Sequence, residues 1–121
     1  MSKKRKRVLI VEDEPDIRDI FSTALARNNH SVEIAENGRL GFRKATTFDY
    51  DIILFDLHMP EWNGADSIKG ILMVKPLSKF LVISAYADRK IADDLRKIPE
   101  VLSVLLKPAD INEIVAYVEA A

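Results

Sequence analysis

The chain has 121 residues, the size of one ordinary domain. That is too short for two domains, an eight-stranded α/β barrel or an enzyme with a separate cap domain. Its composition, 48% hydrophobic and 31% charged, excludes general disorder, and a net charge of −1 excludes a domain drawn as a whole to nucleic acid or an anionic membrane. The absence of cysteine removes disulfides, thiolate metal sites and cysteine nucleophiles, and accords with a reducing cytosol.

The amino-terminal run Lys3-Lys4-Arg5-Lys6-Arg7 imitates the start of a signal peptide. The apolar stretch behind it, Val8–Val11, is far short of the about 20 residues of a membrane span, and Glu12-Asp13-Glu14 follows at once, so no secretory or membrane role is assigned. Residues 1–6 read as a solvated basic lead-in.

Val8–Val11 is a continuous apolar run, as expected of a strand buried on both faces. Pro15 suits a first helical position, and Ile17, Ile20, Phe21, Ala24 and Leu25 then recur at helical spacing as an inward stripe. Asn28 and Asn29 suit the helix end. Val32 and Ile34 alternate with polar neighbours and predict an edge strand. Asn37-Gly38 opens a short helix carrying Leu40, Phe42 and Ala45. Ile52–Phe55 is a third strand. Gly64–Lys75 reads as a helix with Ala65, Ile68 and Leu72 inward, stopped by Pro76. Phe80–Ile83 is a fourth strand. Asp88 caps a charged helix reaching Ile98, with Ile91, Ala92, Leu95 and Ile98 as its apolar positions. Val101–Leu106 is a fifth strand. Asp110 and Glu113 predict a capping box before a last helix with Ile111, Ile114, Val115 and Val118 inward. His30 and Trp62 read as surface or turn residues, and Met59 and Met73 as packing residues.

Five alternating β and α units predict an α/β domain, 1–121, with a five-stranded parallel sheet covered by helices on both faces. Ligands of such sheets bind beyond the carboxyl ends of the strands. Strand one runs into Glu12 and Asp13, strand three into Asp56, strand four into Ser84, and strand five into Lys107 and Pro108. Taken singly, each has a structural explanation: helix-terminal charges, a turn aspartate, a packed serine, a solvated lysine. Together they place three carboxylates, a hydroxyl and an ammonium at one edge. Clustered carboxylates repel unless a cation intervenes. An all-oxygen acidic set favours a hard divalent ion, Mg²⁺. Asp56 is central and could attack phosphorus to give an aspartyl phosphate. Phosphoryl transfer asks mainly for positioning and charge neutralisation, which Lys107, Ser84 and the cation would provide.

Val8–Val11 with Glu12-Asp13-Glu14-Pro15, Asp51–Pro60 with Gly64 after it, Ser84-Ala85-Tyr86 and Lys107-Pro108 resemble the receiver domain of two-component response regulators. The resemblance covers nearly the whole chain and implies a flavodoxin-like strand order 2-1-3-4-5. It implies that Asp56 is the phosphoacceptor, that Glu12, Asp13, Asp56 and the backbone carbonyl of His58 hold Mg²⁺, and that Ser84 and Lys107 contact the phosphoryl group. It implies a cytoplasmic phosphorylation switch served by a histidine kinase or histidine phosphotransfer protein docking near the first helix. Output would go to a downstream protein, or to a homodimer, through the face of the fourth helix, fifth strand and last helix. Phosphoryl uptake and loss would be the chain's own, with no separate substrate, no direct nucleic-acid contact and no membrane contact. The chain would be either a stand-alone receiver or a domain of a larger protein.

Two departures stand out. Val104 occupies the position, three before the lysine, where this family often carries an aromatic, and Lys97-Ile98-Pro99-Glu100 replaces a frequent Gly-Ala. His58 and Tyr86 flank the site. A phosphatase using an aspartyl phosphate would want an acid where His58 stands, and a flavin carrier would meet repulsion from Glu12-Asp13-Glu14. The remaining alternative is a receiver-like interaction module that works without phosphorylation.

Overall fold

The computed structural model describes residues 4–57, 64–85 and 89–121. Its elements alternate as predicted: β1 (Arg7–Val11), α1 (Pro15–Arg27), β2 (Ser31–Ala35), α2 (Gly38–Thr47), β3 (Ile52–Asp56), α3 (Gly64–Val74), β4 (Phe80–Ser84), α4 (Arg89–Leu95), β5 (Val101–Leu106) and α5 (Ile111–Ala120). All strand pairs are parallel, and the sheet order is β2-β1-β3-β4-β5.

The apolar strands divide their side chains between two cores, because successive residues point to opposite faces. Leu9, Val11, Ile53, Phe55, Phe80 and Val82 meet α2, α3 and α4 through Ala45, Ile68, Ile71, Ala92 and Leu95. Val8, Ile10, Ile52, Leu54, Leu81 and Ile83 meet α1 and α5 through Phe21, Leu25, Ile114 and Val118. Val104 is buried in the first core.

Local signals set most helix ends. Pro15 opens α1 without a side-chain cap, and Asn29 takes the left-handed conformation (φ 68°) just beyond the helix. Asn37 caps α2 by accepting from the Leu40 N–H at 2.8 Å. Asp110 caps α5 by accepting from the Asn112 N–H at 2.8 Å. That cap is one-sided: among the described residues Glu113 returns no bond, so the reciprocal box is not formed.

Several sequence expectations are corrected. α4 ends at Leu95 rather than Ile98, because Pro99 disfavours helical geometry at the residue before it; Lys97 and Ile98 make i→i−3 bonds to Asp94 and Leu95 instead. On α3, Ser67 and Ile71 are buried while Leu72 is only partly so. Ile20, Ile34 and Ile91 are exposed, and Met73 is a surface residue rather than a packing one. His30 is buried, not superficial: its Nδ1 accepts from the Lys6 N–H at 3.0 Å and its Nε2 lies 3.4 Å from Glu119. Lys6 is buried as well, its ammonium bonded to the Ala121 carbonyl, so the basic lead-in is solvated only in part. The roles considered for His58, Met59, Trp62, Tyr86 and Asp88 lie outside the described residues.

Candidate functional site

The predicted cluster assembles at the carboxyl edge of the sheet. Register carries it there: Val11 pairs with Phe55, Asp56 with Ile83, and Ser84 with Leu106, so the polar residues all fall where the apolar runs end. Backbone bonds fix the departing chains. The Glu12 N–H donates to Ala35, the Leu57 N–H to Ile83 and the Lys107 N–H to the Ser84 carbonyl (2.9 Å). The Lys107–Pro108 peptide is cis.

Glu12 and Asp56 are nearly inaccessible, at 1% and 2% of full exposure, and Ser84 is wholly buried. Asp13 is partly exposed. Lys107 reaches over from β5, and its Nζ donates to Asp56 Oδ2 at 3.0 Å. The Ser84 hydroxyl donates to the Ala85 carbonyl at 3.0 Å. One carboxylate oxygen from each of Glu12, Asp13 and Asp56 lies within 4.8 Å of the other two.

Burial is the largest influence on Glu12, and the hydrogen bond and negative charge of Asp56 add to it, as does Asp13. Lys107 opposes them and loses, so the Glu12 carboxyl is pushed up to about 9. For Lys107, burial alone would lower the pKa. The hydrogen bond and charge of Asp56, with the charges of Glu12 and Glu14, outweigh it and raise it. The cluster thus holds more negative charge than one ammonium balances. Among the described residues Glu12 Oε1 is buried with no hydrogen-bond partner, a state that costs free energy unless something is bound there. Three hard oxygen donors and an orphaned buried acceptor fit a small divalent cation.

Two neighbouring features were not read from the sequence. Arg18, one turn into α1, donates from Nη1 to the Glu12 carbonyl at 3.1 Å and so braces the acidic loop; its cationic position in the first turns of a helix after three acids was the available signal. Beside Lys107, an apolar cavity of about 400 Å³ opens between α1 and the β5–α5 loop, lined by Ile17, Ile20, Phe21, Pro108, Ala109 and Ile111. This accounts for Ile20, 55% exposed at the rim of its helical stripe.

The chain is similar to known proteins in sequence and in fold. A family profile described as the response regulator receiver domain matches residues 8–119. The chain is 29% identical over 115 residues to the regulatory protein AtoC of Escherichia coli, covering 95% of this chain and 25% of AtoC. It is 31% identical over 122 residues to the response regulator ArlR of Staphylococcus saprophyticus, covering 94% of this chain and 51% of ArlR. It therefore spans a quarter to about half of the length of these two relatives. The BeF3-activated receiver domain of nitrogen regulatory protein C superposes with a TM-score of 0.84 at 30% identity, covering 98% of this chain and 94% of that one. The chain belongs to the response regulator receiver domain family of two-component systems.

Proposed function

We propose that this chain is a phosphoacceptor switch in which Asp56 takes a phosphoryl group from a histidine kinase or a histidine phosphotransfer protein. The observation that carries the reading is the 3.0 Å contact from Lys107 Nζ to a nearly inaccessible Asp56, within a three-carboxylate cluster at the carboxyl edge of the sheet. A buried carboxylate in contact with an ammonium is a positioned nucleophile. An Asp56 oxygen attacks phosphorus, the phosphorus–nitrogen bond of the donor phosphohistidine breaks, and the imidazole leaves with the electron pair. Lys107 stays beside the phosphoryl oxygens as charge neutraliser.

Glu12, Asp13 and Asp56 would hold Mg²⁺, together with the carbonyl of His58, which lies outside the described residues. When bound, the ion supplies charge neutralisation at the phosphoryl oxygens. Ser84 moves from the Ala85 carbonyl to a phosphoryl oxygen, pulling on the β4–α4 connection. The Lys107 N–H bond to the Ser84 carbonyl couples that movement to the end of β5. Val104, packed in the core, supplies no aromatic ring at its own position. The switch runs through Ser84 and Lys107 to the face of α4, β5 and α5, where Ile91, Leu102 and Leu106 are exposed and a protein target or second copy would bind. α4 is the natural moving part, with only Ala92 and Leu95 buried. The donor docks on the apolar groove between α1 and the β5–α5 loop, which opens directly beside Lys107.

No separate substrate is turned over: the chain catalyses its own phosphorylation and its loss. Among the described residues no helix is long and apolar enough to cross a membrane, and the chain lacks cysteine; we place it in the cytoplasm with its kinase. The test is an NMR titration with beryllofluoride, an acyl-phosphate mimic, and Mg²⁺. The amide signals of Leu57, Ala85 and Lys107 should shift together with those of α4 and β5, and the Asp56→Asn protein should not respond. Shifts confined to the acidic loop would contradict a switch.

A further inference from the structure

At the opposite edge of the sheet lies a second cavity, of about 680 Å³. Lys4 and Lys6 reach it from the β1 lead-in, Tyr50 from the α2–β3 loop, and Lys75, Leu77 and Lys79 from the α3–β4 loop. Helix C-termini account for two of these lysines: Lys75 directly follows α3, and the Lys6 ammonium bonds the carbonyl of Ala121, the C-cap of α5; Lys4 and Lys79 are not accounted for in this way. Two acids share the cavity, and both are engaged. Asp49 is paired with Lys75 at 2.8 Å, and Asp51 accepts the Arg7 N–H at 2.8 Å. Lys6 is bound to the Ala121 carbonyl. Lys4 and Lys79 make no ion pair among the described residues.

The basic rim carries a large apolar projection. Leu77 is 91% exposed. Its loop is fixed, not loose: the Ser78 N–H donates to the Lys75 carbonyl at 3.1 Å, and the Ile53 N–H to the Lys79 carbonyl at 2.9 Å. An apolar contact surface is thus presented in a set position beside a cavity whose four lysines outnumber its two aspartates. A chain of net charge −1 is in this way polarised: Asp13, Glu14 and Asp56 outnumber Lys107 at one edge, and these lysines gather at the other. Strands of five residues separate the edges by about 17 Å, well over the roughly 8 Å screening length at physiological salt. An acidic ligand is therefore repelled by the phosphoacceptor edge and steered to this one.

We propose that this basic cavity docks an acidic peptide segment of a partner protein that also carries one large apolar anchor. The acids meet Lys4 and Lys79 and the anchor covers Leu77, a use of the amino-terminal basic run that the phosphoryl chemistry does not require.

The test titrates the full chain into a short fluorescein-labelled peptide of aspartate and glutamate flanking one tryptophan, followed by anisotropy at physiological salt. Saturable binding that weakens as salt rises is expected. Lys4→Glu with Lys79→Glu should weaken it roughly tenfold or more, and Leu77→Asp by about as much. Lys79→Ala should act in the same direction but less. Lys90→Glu, at the far end of the molecule on α4, and Asp56→Asn should leave it unchanged; the latter keeps the result independent of the phosphoacceptor reading. All these positions except Asp56 are exposed, and circular dichroism verifies that each variant is folded. Absence of saturable binding overturns the proposal. So does equal binding of the asparagine and glutamine version of the peptide, an equal effect of Lys90→Glu, or tighter binding of single-stranded RNA or anionic vesicles.

Discussion

Lys107 and Asp56 come from the ends of β5 and β3, two strands that are not neighbours, yet their side chains meet at 3.0 Å. The lysine spans β4 to reach the carboxylate, and Asp56 is nearly inaccessible to water. Removing the ammonium takes a cation away from a carboxylate that faces Glu12 and Asp13. Breaking a buried pair from one side costs about 3–5 kcal/mol; with Lys107 about one-quarter exposed, about 2 kcal/mol is expected for Lys107→Ala without added metal. Asp56→Asn removes a negative charge from the cluster and should be neutral or stabilising. Urea denaturation of the two variants checks the ordering, and an Asp56→Asn protein less stable than Lys107→Ala would contradict it.

The raised Glu12 carboxyl makes metal-free stability fall with pH. Unfolded, it loses its proton near 4.5; folded, it keeps it to about 9. Between those values the folded state binds the extra proton, so stability declines as pH rises through the window. Glu12→Gln should flatten that decline. A divalent cation bound to the cluster requires the ionised carboxylate, so Mg²⁺ uptake at neutral pH should release protons and also flatten it. Calorimetry in buffers of different ionisation enthalpy measures the release. No release from the wild-type protein would refute the account of Glu12.

Gly41 on α2 sits against β1. A Cβ built there would lie 2.6 Å from both methyl carbons of Val11, the residue preceding Glu12. Gly41→Ala should therefore lower stability by about 1–3 kcal/mol through overpacking. Val11→Ala combined with it should recover part of that loss, since the collision is with the methyls that this change removes. Additive losses in a double-mutant cycle would show that the clash is relieved elsewhere.

His30 closes the other end of the core. Its Nδ1 accepts the Lys6 N–H, so the neutral ring carries its proton on Nε2, toward Glu119. His30→Leu keeps the bulk but leaves the Lys6 N–H without its acceptor. A loss of about 1–3 kcal/mol is expected from that unpaired donor, read as a shift of the urea midpoint with unchanged slope. An unshifted midpoint would mean that water or a side chain replaces the ring.

Donor docking and chemistry can be separated at Ile20. Ile20→Asp should slow phosphoryl transfer from a cognate phosphohistidine protein roughly tenfold or more, because a charge enters an apolar groove. Transfer from acetyl phosphate, which needs no protein surface, should be unchanged. Equal slowing with both donors would place Ile20 in the chemistry rather than in the groove.

The strand core and the acidic edge were legible because each rests on local signals. Val8–Val11, Ile52–Phe55 and Phe80–Ile83 are apolar throughout, which only doubly covered strands need, and each ends in a polar residue that the parallel sheet carries to one edge. The strand order came from the family resemblance, since no local signal orders strands. What periodicity left open was the width of each helical stripe. Ile20 and Leu25 share a stripe, but α5 covers only part of it, and the uncovered part is the groove. Lys6 and His30 looked exposed because their neighbours in sequence are polar; their burial depends on α5, far along the chain, closing over them. The length of α4 was misjudged where apolar spacing continued to Ile98 but Pro99 overrode it.

The central claim is that Asp56 is a working phosphoacceptor. Its most direct test is the intact mass of the protein after incubation with Mg²⁺ and acetyl phosphate, with Asp56→Asn and a chelated sample alongside. One phosphoryl adduct on the wild type, absent from the variant and from the chelated sample, is the predicted result. A folded, Mg²⁺-binding wild-type protein that acquires no adduct, or an Asp56→Asn protein that acquires the same one, would contradict it.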